Sequence, residues 1–205
     1  MPSPLPIAVL VSGTGTNLQA LIDTVHDREA RIVAVASSRA DAPALQRAAQ
    51  QGIPTASFPR RAYPDRAQRD RELADWVHGQ GARLVVLAGY MELLGDDFLH
   101  RFPQAVINVH PSLLPAFPGL HAIEQALAYG VKLFGVTVHF VDGGVDTGPV
   151  ILQGGIELPR PGSPDDVLAA LRPVEHRLLP EAVRLFARGA LTIDPANPRR
   201  VLVAG

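Results

Sequence analysis

Cysteine is absent from the 205 residues. That excludes a disulfide framework, a thiolate nucleophile and any zinc or iron–sulfur centre built on sulfur. Aromatic residues are scarce at 5%, which leaves few platforms for stacking exposed bases. Charge of one sign is also missing: 19 Lys and Arg oppose 20 Asp and Glu, a formal net charge of −1. A surface built mainly for nucleic acid or anionic lipid needs a basic excess, so neither is an expected partner. The longest apolar runs, such as residues 7–11 and 84–88, are strand-sized and too short to cross a bilayer. The opening Met1-Pro2-Ser3-Pro4-Leu5-Pro6 has neither the positive nor the hydrophobic region of a secretion signal. The expectation is a soluble, cytoplasmic protein.

What is present suits a globular chain with a real core: 47% of residues are apolar and 19% charged. Short β-rich runs (7–11, 32–37, 55–58, 84–87, 106–109, 136–140 and 149–157) alternate with helical patterns at 18–25, 42–51, 64–80, 96–101 and 123–129. The early strands are continuously apolar, as strands covered on both faces must be. This alternation predicts an α/β fold, an open, mostly parallel Rossmann-like sheet with helices on both faces. Residues 133–157 read as two β-runs without a long helix between them, so the C-terminal end of the sheet is expected to be partly antiparallel. A last helical region, 163–188, contains Pro173 and Pro180 and is expected to break or kink there. One domain over residues 1–190 and a loosely held tail over 191–205 complete the prediction.

Three clusters carry chemistry. The first is Ser12-Gly13-Thr14-Gly15-Thr16-Asn17, between the first strand and the first helix. A strand, a glycine-rich turn and a helix start gather backbone N–H groups and the positive helix end around one point, which suits phosphate. A dinucleotide reading stays open through Arg39, although Leu18 stands where a third glycine belongs and no acidic residue ends the second strand. Plain turn chemistry with Asn17 or Thr16 as helix cap is the other alternative. The second cluster is Asn108 and His110, followed by Pro111, at the C-terminal end of a predicted strand, the edge where open α/β sheets bind ligands. Two apart on a strand, the amide and the imidazole share a face and can donate hydrogen bonds to an oxygen gaining negative charge. A satisfied polar pair in a loop is the competing account. The third cluster is the glycine-rich 141–149 loop. It can return Asp146 over the sheet edge, where a carboxylate beside His110 would raise the imidazole pKa, whereas Asp142 reads as turn chemistry.

Other charged residues weigh less. His139 reads as a structural histidine, and no ligand spacing suggests a metal. Arg66, Arg69 and Arg71 with Asp65, Asp70 and Glu72 read as a solvated helix face.

Taken in order, the 12–17 turn, Leu87-Ala88-Gly89-Tyr90-Met91, residues 107–115 with Phe117-Pro118-Gly119-Leu120-His121, Val138-His139-Phe140, and residues 146–152 resemble the phosphoribosylglycinamide formyltransferases, folate-dependent enzymes of purine synthesis. The likeness extends to Glu175-His176, nearly the whole chain. It implies transfer of a formyl group from the co-substrate 10-formyltetrahydrofolate to glycinamide ribonucleotide, without a metal; a monomer or homodimer is the expected assembly. In that resemblance Gly13, Thr14, Gly15, Thr16 and Asn17 hold the ribonucleotide phosphate, and Glu175 lies near its ribose or glycinamide end. Arg66 and the backbone of Met91, Glu92, Leu93 and Leu94 bind the folate, and Asn108 hydrogen-bonds the formyl oxygen. His110 is the acid and Asp146 raises its pKa. The chain departs from the family pattern at Glu92 and Ala116, commonly basic positions, and in the weakly acidic 143–145 segment. Two other readings remain. Another formyl-folate enzyme usually brings an extra domain, and a non-catalytic nucleotide module would leave Asn108, His110 and Asp146 unexplained.

Overall fold

A computed structural model describes residues 3–204. Strands β1 (Leu5–Val11), β2 (Ala30–Ser37), β3 (Thr55–Ser57), β4 (Leu84–Leu87) and β5 (Val106–His110) alternate with helices α1 (Thr16–Thr24), α2 (Pro43–Gln50), α3 (Arg66–Gly79) and the single turn α4 (Asp96–Leu99). Helix α5 (Ala122–Tyr129), strands β6 (Leu133–Phe140) and β7 (Val150–Glu157), helix α6 (Pro164–Ala187) and strands β8 (Leu191–Ile193) and β9 (Val201–Val203) follow. The sheet order is β3-β2-β1-β4-β5-β6-β7. Pairs β1–β2, β1–β4, β2–β3 and β4–β5 are parallel, and β6–β7 is antiparallel. The predicted fold class is therefore the observed one.

The chain separates into two compact units, Met1–Asn108 and Val109–Gly205. In the first, Ile7 to Val11 and Leu84 to Val86 are fully buried at consecutive positions, which requires cover on both strand faces and explains the absence of alternation. Leu18 and Leu21 of α1 and Leu73 and Val77 of α3 are buried within this unit.

In the second unit α6 packs on β6 and β7. Of the expected break or kink, the break does not occur: α6 is one helix of 24 residues with Pro173 and Pro180 inside it. Each proline removes a backbone donor. The apolar face formed by Leu171, Val174, Leu178, Leu179, Ala182 and Val183 is buried, and packing outweighs that local cost. Ser163 and Asp166 close a capping box at its start.

The tail is not loose either. β8 and β9 form an antiparallel hairpin, Arg200 pairs with the buried Asp194, and Arg199 donates to the Thr147 carbonyl at 3.2 Å. Strand β6 begins three residues earlier than the sequence suggests, because its first turn pairs with the end of β7, Leu133 opposite Glu157.

Candidate active site

The turn after β1 is shaped by its contacts to α2. Ala44 donates its amide to the Gly13 carbonyl at 3.2 Å, and Arg47 Nε donates to the Thr14 carbonyl at 2.8 Å. With both carbonyls drawn toward α2, exposed Gly13 and Thr14 stand at the positive end of α1. Gly15, not Thr16 or Asn17, occupies the cap position, with φ of 76° and no side-chain cap. A Cβ there would come within 2.6 Å of the Ala44 Cβ, so the position requires glycine on both conformational and steric grounds. Beneath the turn, the Ser12 hydroxyl lies 2.6 Å from the Ser38 hydroxyl and accepts the Met91 amide at 2.8 Å. Arg39, the residue that kept a dinucleotide reading open, is paired bidentately with Asp41 at 2.9 and 3.1 Å.

Asn108 and His110 lie two apart on β5, on one strand face. His110 is 5% exposed. Its Nε2 lies 2.9 Å from the Phe117 carbonyl, and its Nδ1 lies 3.3 Å from Asp146 Oδ2. Asp146 Oδ2 also accepts the Gly119 amide at 2.7 Å, while Oδ1 lies 3.5 Å from Nε2 of the buried His139. His139 Nδ1 in turn donates to the Phe140 carbonyl at 2.8 Å. A carbonyl only accepts, so Nε2 of His110 and Nδ1 of His139 carry protons, and the second nitrogen of each ring faces the carboxylate. Burial alone would raise the Asp146 pKa. The hydrogen bonds from His139 and the Gly119 amide, with the charges of the two imidazoles, outweigh it and hold the carboxyl below its ordinary value.

The loop between β5 and α5 is braced from β6 and β7. Thr137 Oγ1 donates to the Ser112 carbonyl at 2.7 Å and accepts the Leu114 amide at 3.0 Å. Gln153 Nε2 donates to the Leu114 carbonyl and to Thr137 Oγ1, both at 2.9 Å. Phe117, His121 and Asp146 adopt positive φ values of 52°, 61° and 53°, a conformation that costs a non-glycine residue about 1 kcal/mol or more and clusters at functional sites. Asp142 accepts the Gly144 amide and the Thr147 hydroxyl, the turn role its sequence suggests.

Thr137 and Gln153 escape sequence reasoning, because a threonine and a glutamine inside strands carry no motif. His139 shows the same limit: its strand position indicates burial but not the Asp146 contact. Glu175 lies on α6 and is 6% exposed. Arg66 opens α3 and is exposed. The solvated face expected of α3 is overturned at its centre: Arg69 and Asp70 are both fully buried. Arg69 forms ion pairs with Asp70 and with Glu92, which lies in the loop after β4. Among the described residues no group of three or more His, Asp or Glu is placed to hold a metal, and no helix is long and apolar enough to cross a membrane.

The formyl transferase family model matches residues 5–183. The chain is 40% identical over 189 residues to phosphoribosylglycinamide formyltransferase of Haemophilus influenzae, covering 91% of this chain and 89% of that one. It is 41% identical over 187 residues to the enzyme of the same name from Escherichia coli, covering 90% and 88%. The crystal structure of glycinamide ribonucleotide transformylase 1 from Symbiobacterium toebii superposes with a TM-score of 0.92 at 44% identity, over 98% of this chain and 95% of that one. By fold and by sequence, the chain belongs to the phosphoribosylglycinamide formyltransferase family.

Proposed function

We propose that the protein transfers the formyl group of 10-formyltetrahydrofolate to the amine of N1-(5-phosphoribosyl)glycinamide, a step of purine biosynthesis, in the cytoplasm and as a monomer or homodimer. The turn of Gly13, Thr14, Gly15, Thr16 and Asn17 takes the ribonucleotide phosphate, and Glu175 takes its ribose or glycinamide end. Arg66 and the backbone of Met91, Glu92, Leu93 and Leu94 take the folate. The free amine attacks the formyl carbon, forming the new C–N bond and leaving charge on the formyl oxygen. Asn108 and His110 donate to that oxygen. The Nε2 proton of His110, given to the Phe117 carbonyl in the resting arrangement, is the one that exchanges to the oxyanion. Collapse breaks the bond to the folate nitrogen, which departs with the proton lost by the amine. Asp146 orients the His110 ring and places a negative charge beside it.

The observation that supports this reading most is the 3.3 Å approach of His110 Nδ1 to Asp146, residues 36 positions apart in the chain. The test is an assay of the purified protein with glycinamide ribonucleotide and 10-formyltetrahydrofolate and no added metal. Formylated ribonucleotide is the expected product. Formate released at the same rate with the ribonucleotide omitted would replace the transferase reading with a hydrolase.

A further inference from the structure

Helix α3 contains an ion pair that a solvated helix has no use for. Arg69 and Asp70 are each 0% exposed, and taking two such charges out of water costs several kcal/mol per ion, roughly, unless every donor is engaged. Here four guanidinium hydrogen bonds and the Asp70 carboxylate's contact to Gly95 engage the pair, largely with one loop. Arg69 Nε and Nη2 donate to Asp70 Oδ1 at 3.0 and 2.8 Å. Nη2 also donates to the Leu93 carbonyl at 2.9 Å, and Nη1 to Glu92 Oε2 at 2.9 Å. Asp70 Oδ2 accepts the Gly95 amide at 2.7 Å. A Cβ on Gly95 would stand 3.2 Å from that same oxygen, so the backbone approaches the buried pair closely. With the Met91 amide bound to Ser12, the loop is tied at residues 91, 93 and 95. Fixing residues 91, 93 and 95 of this irregular loop, which bends at Glu92, restrains the backbone groups at 92 and 94 between them.

We propose that Arg69 is a positioning residue for folate binding and that Glu92 is its counter-ion, spent on the protein's own loop instead of on the ligand. The proposal rests on the reading that the backbone of residues 91–94 binds the folate. It also accounts for an acidic residue at position 92: its charge is committed to a buried guanidinium that already has one carboxylate and needs another acceptor at Nη1. Arg69 acts on the reaction only through the shape of the loop.

Arg69 itself is a poor test, since its removal leaves Asp70 buried without a counter-charge and risks the fold. Glu92, 28% exposed on its side chain, can be changed more safely. Steady-state kinetics of Glu92→Ala are expected to raise the KM for the formyl-folate about tenfold, the loss of one charge-assisted hydrogen bond, with kcat and the ribonucleotide KM within about twofold of the parent. Glu92→Gln, whose amide oxygen still accepts from Nη1, recovers most of that loss. In the absence of any ligand, the Gly95 amide exchanges its hydrogen faster in Glu92→Ala than in the parent. A Glu92→Ala protein with parental folate KM and parental Gly95 exchange overturns the proposal. So does a Glu92→Lys protein that binds the folate more tightly, because the side chain would then act on the ligand directly. If the parent protein itself transfers no formyl group, the functional reading fails, and the exchange measurement alone still decides whether Glu92 and Arg69 fix the loop.

Discussion

Asp146 is shared by two imidazoles, and each ring is fixed on its far side by a backbone carbonyl, Phe117 for His110 and Phe140 for His139. The rings therefore cannot turn away from the carboxylate without losing a second bond. His110→Ala removes the proposed oxyanion donor, and kcat is expected to fall by about 10²–10³ while the protein stays folded; near-parental turnover would withdraw the role. Asp146→Asn removes the charge and keeps the shape, so the rate falls and the acidic limb of the pH profile moves. The same substitution has a readout in stability. The carboxyl of Asp146 is held below its ordinary value, so its contribution to folding is complete above the unfolded value of about 3.9 and is lost as pH falls through the lower folded value. In denaturant titrations the Asn variant should be the weaker protein above about pH 4, and the gap should close in stronger acid. A gap that widened in acid would contradict the environment described.

At the scale of elements, the strands were legible wherever continuous apolar runs announced them, and their ends were not. Strand β6 gains its first three residues from pairing with β7, a long-range contact with no local signature. The prolines of α6 show the converse, since local propensity argues for a break and the buried apolar stripe overrules it. The turn before α1 was legible as a glycine-rich turn between a strand and a helix, but its cap was not, because the choice of Gly15 depends on the approach of Ala44 from α2. Gly15→Ala should therefore destabilise the protein by about 2 kcal/mol and raise the ribonucleotide KM, checked by thermal denaturation and steady-state kinetics. Parental values for both would show that the turn tolerates a side chain.

For the molecule as a whole, the C-terminal segment is the largest departure from expectation. Its prolines and paired arginines read as a loose appendage, yet β8 and β9 pair, Ala204 donates to the Ala190 carbonyl, and Arg199 reaches the carbonyl of Thr147, next to Asp146 in the chain. Removing residues 191–205 is expected to lower the thermal midpoint and to speed hydrogen exchange through residues 142–148. Unchanged exchange there would make the hairpin an ornament of the fold, unconnected to the Asp146 loop.

The sequence by itself determined the fold class, the glycine turn and the pairing of Asn108 with His110, because each is written within a few consecutive residues: an apolar run, a turn, two positions on one strand. It also carried enough family likeness to point to Asp146. What only the tertiary structure decided is which charges meet. Arg69 and Asp70 look like solvent-facing residues until the loop after β4 closes over them, and His139 looks inert until Asp146 arrives from across its own loop. The burial and partners of a charge depend on segments distant in the chain, and no local pattern encodes them.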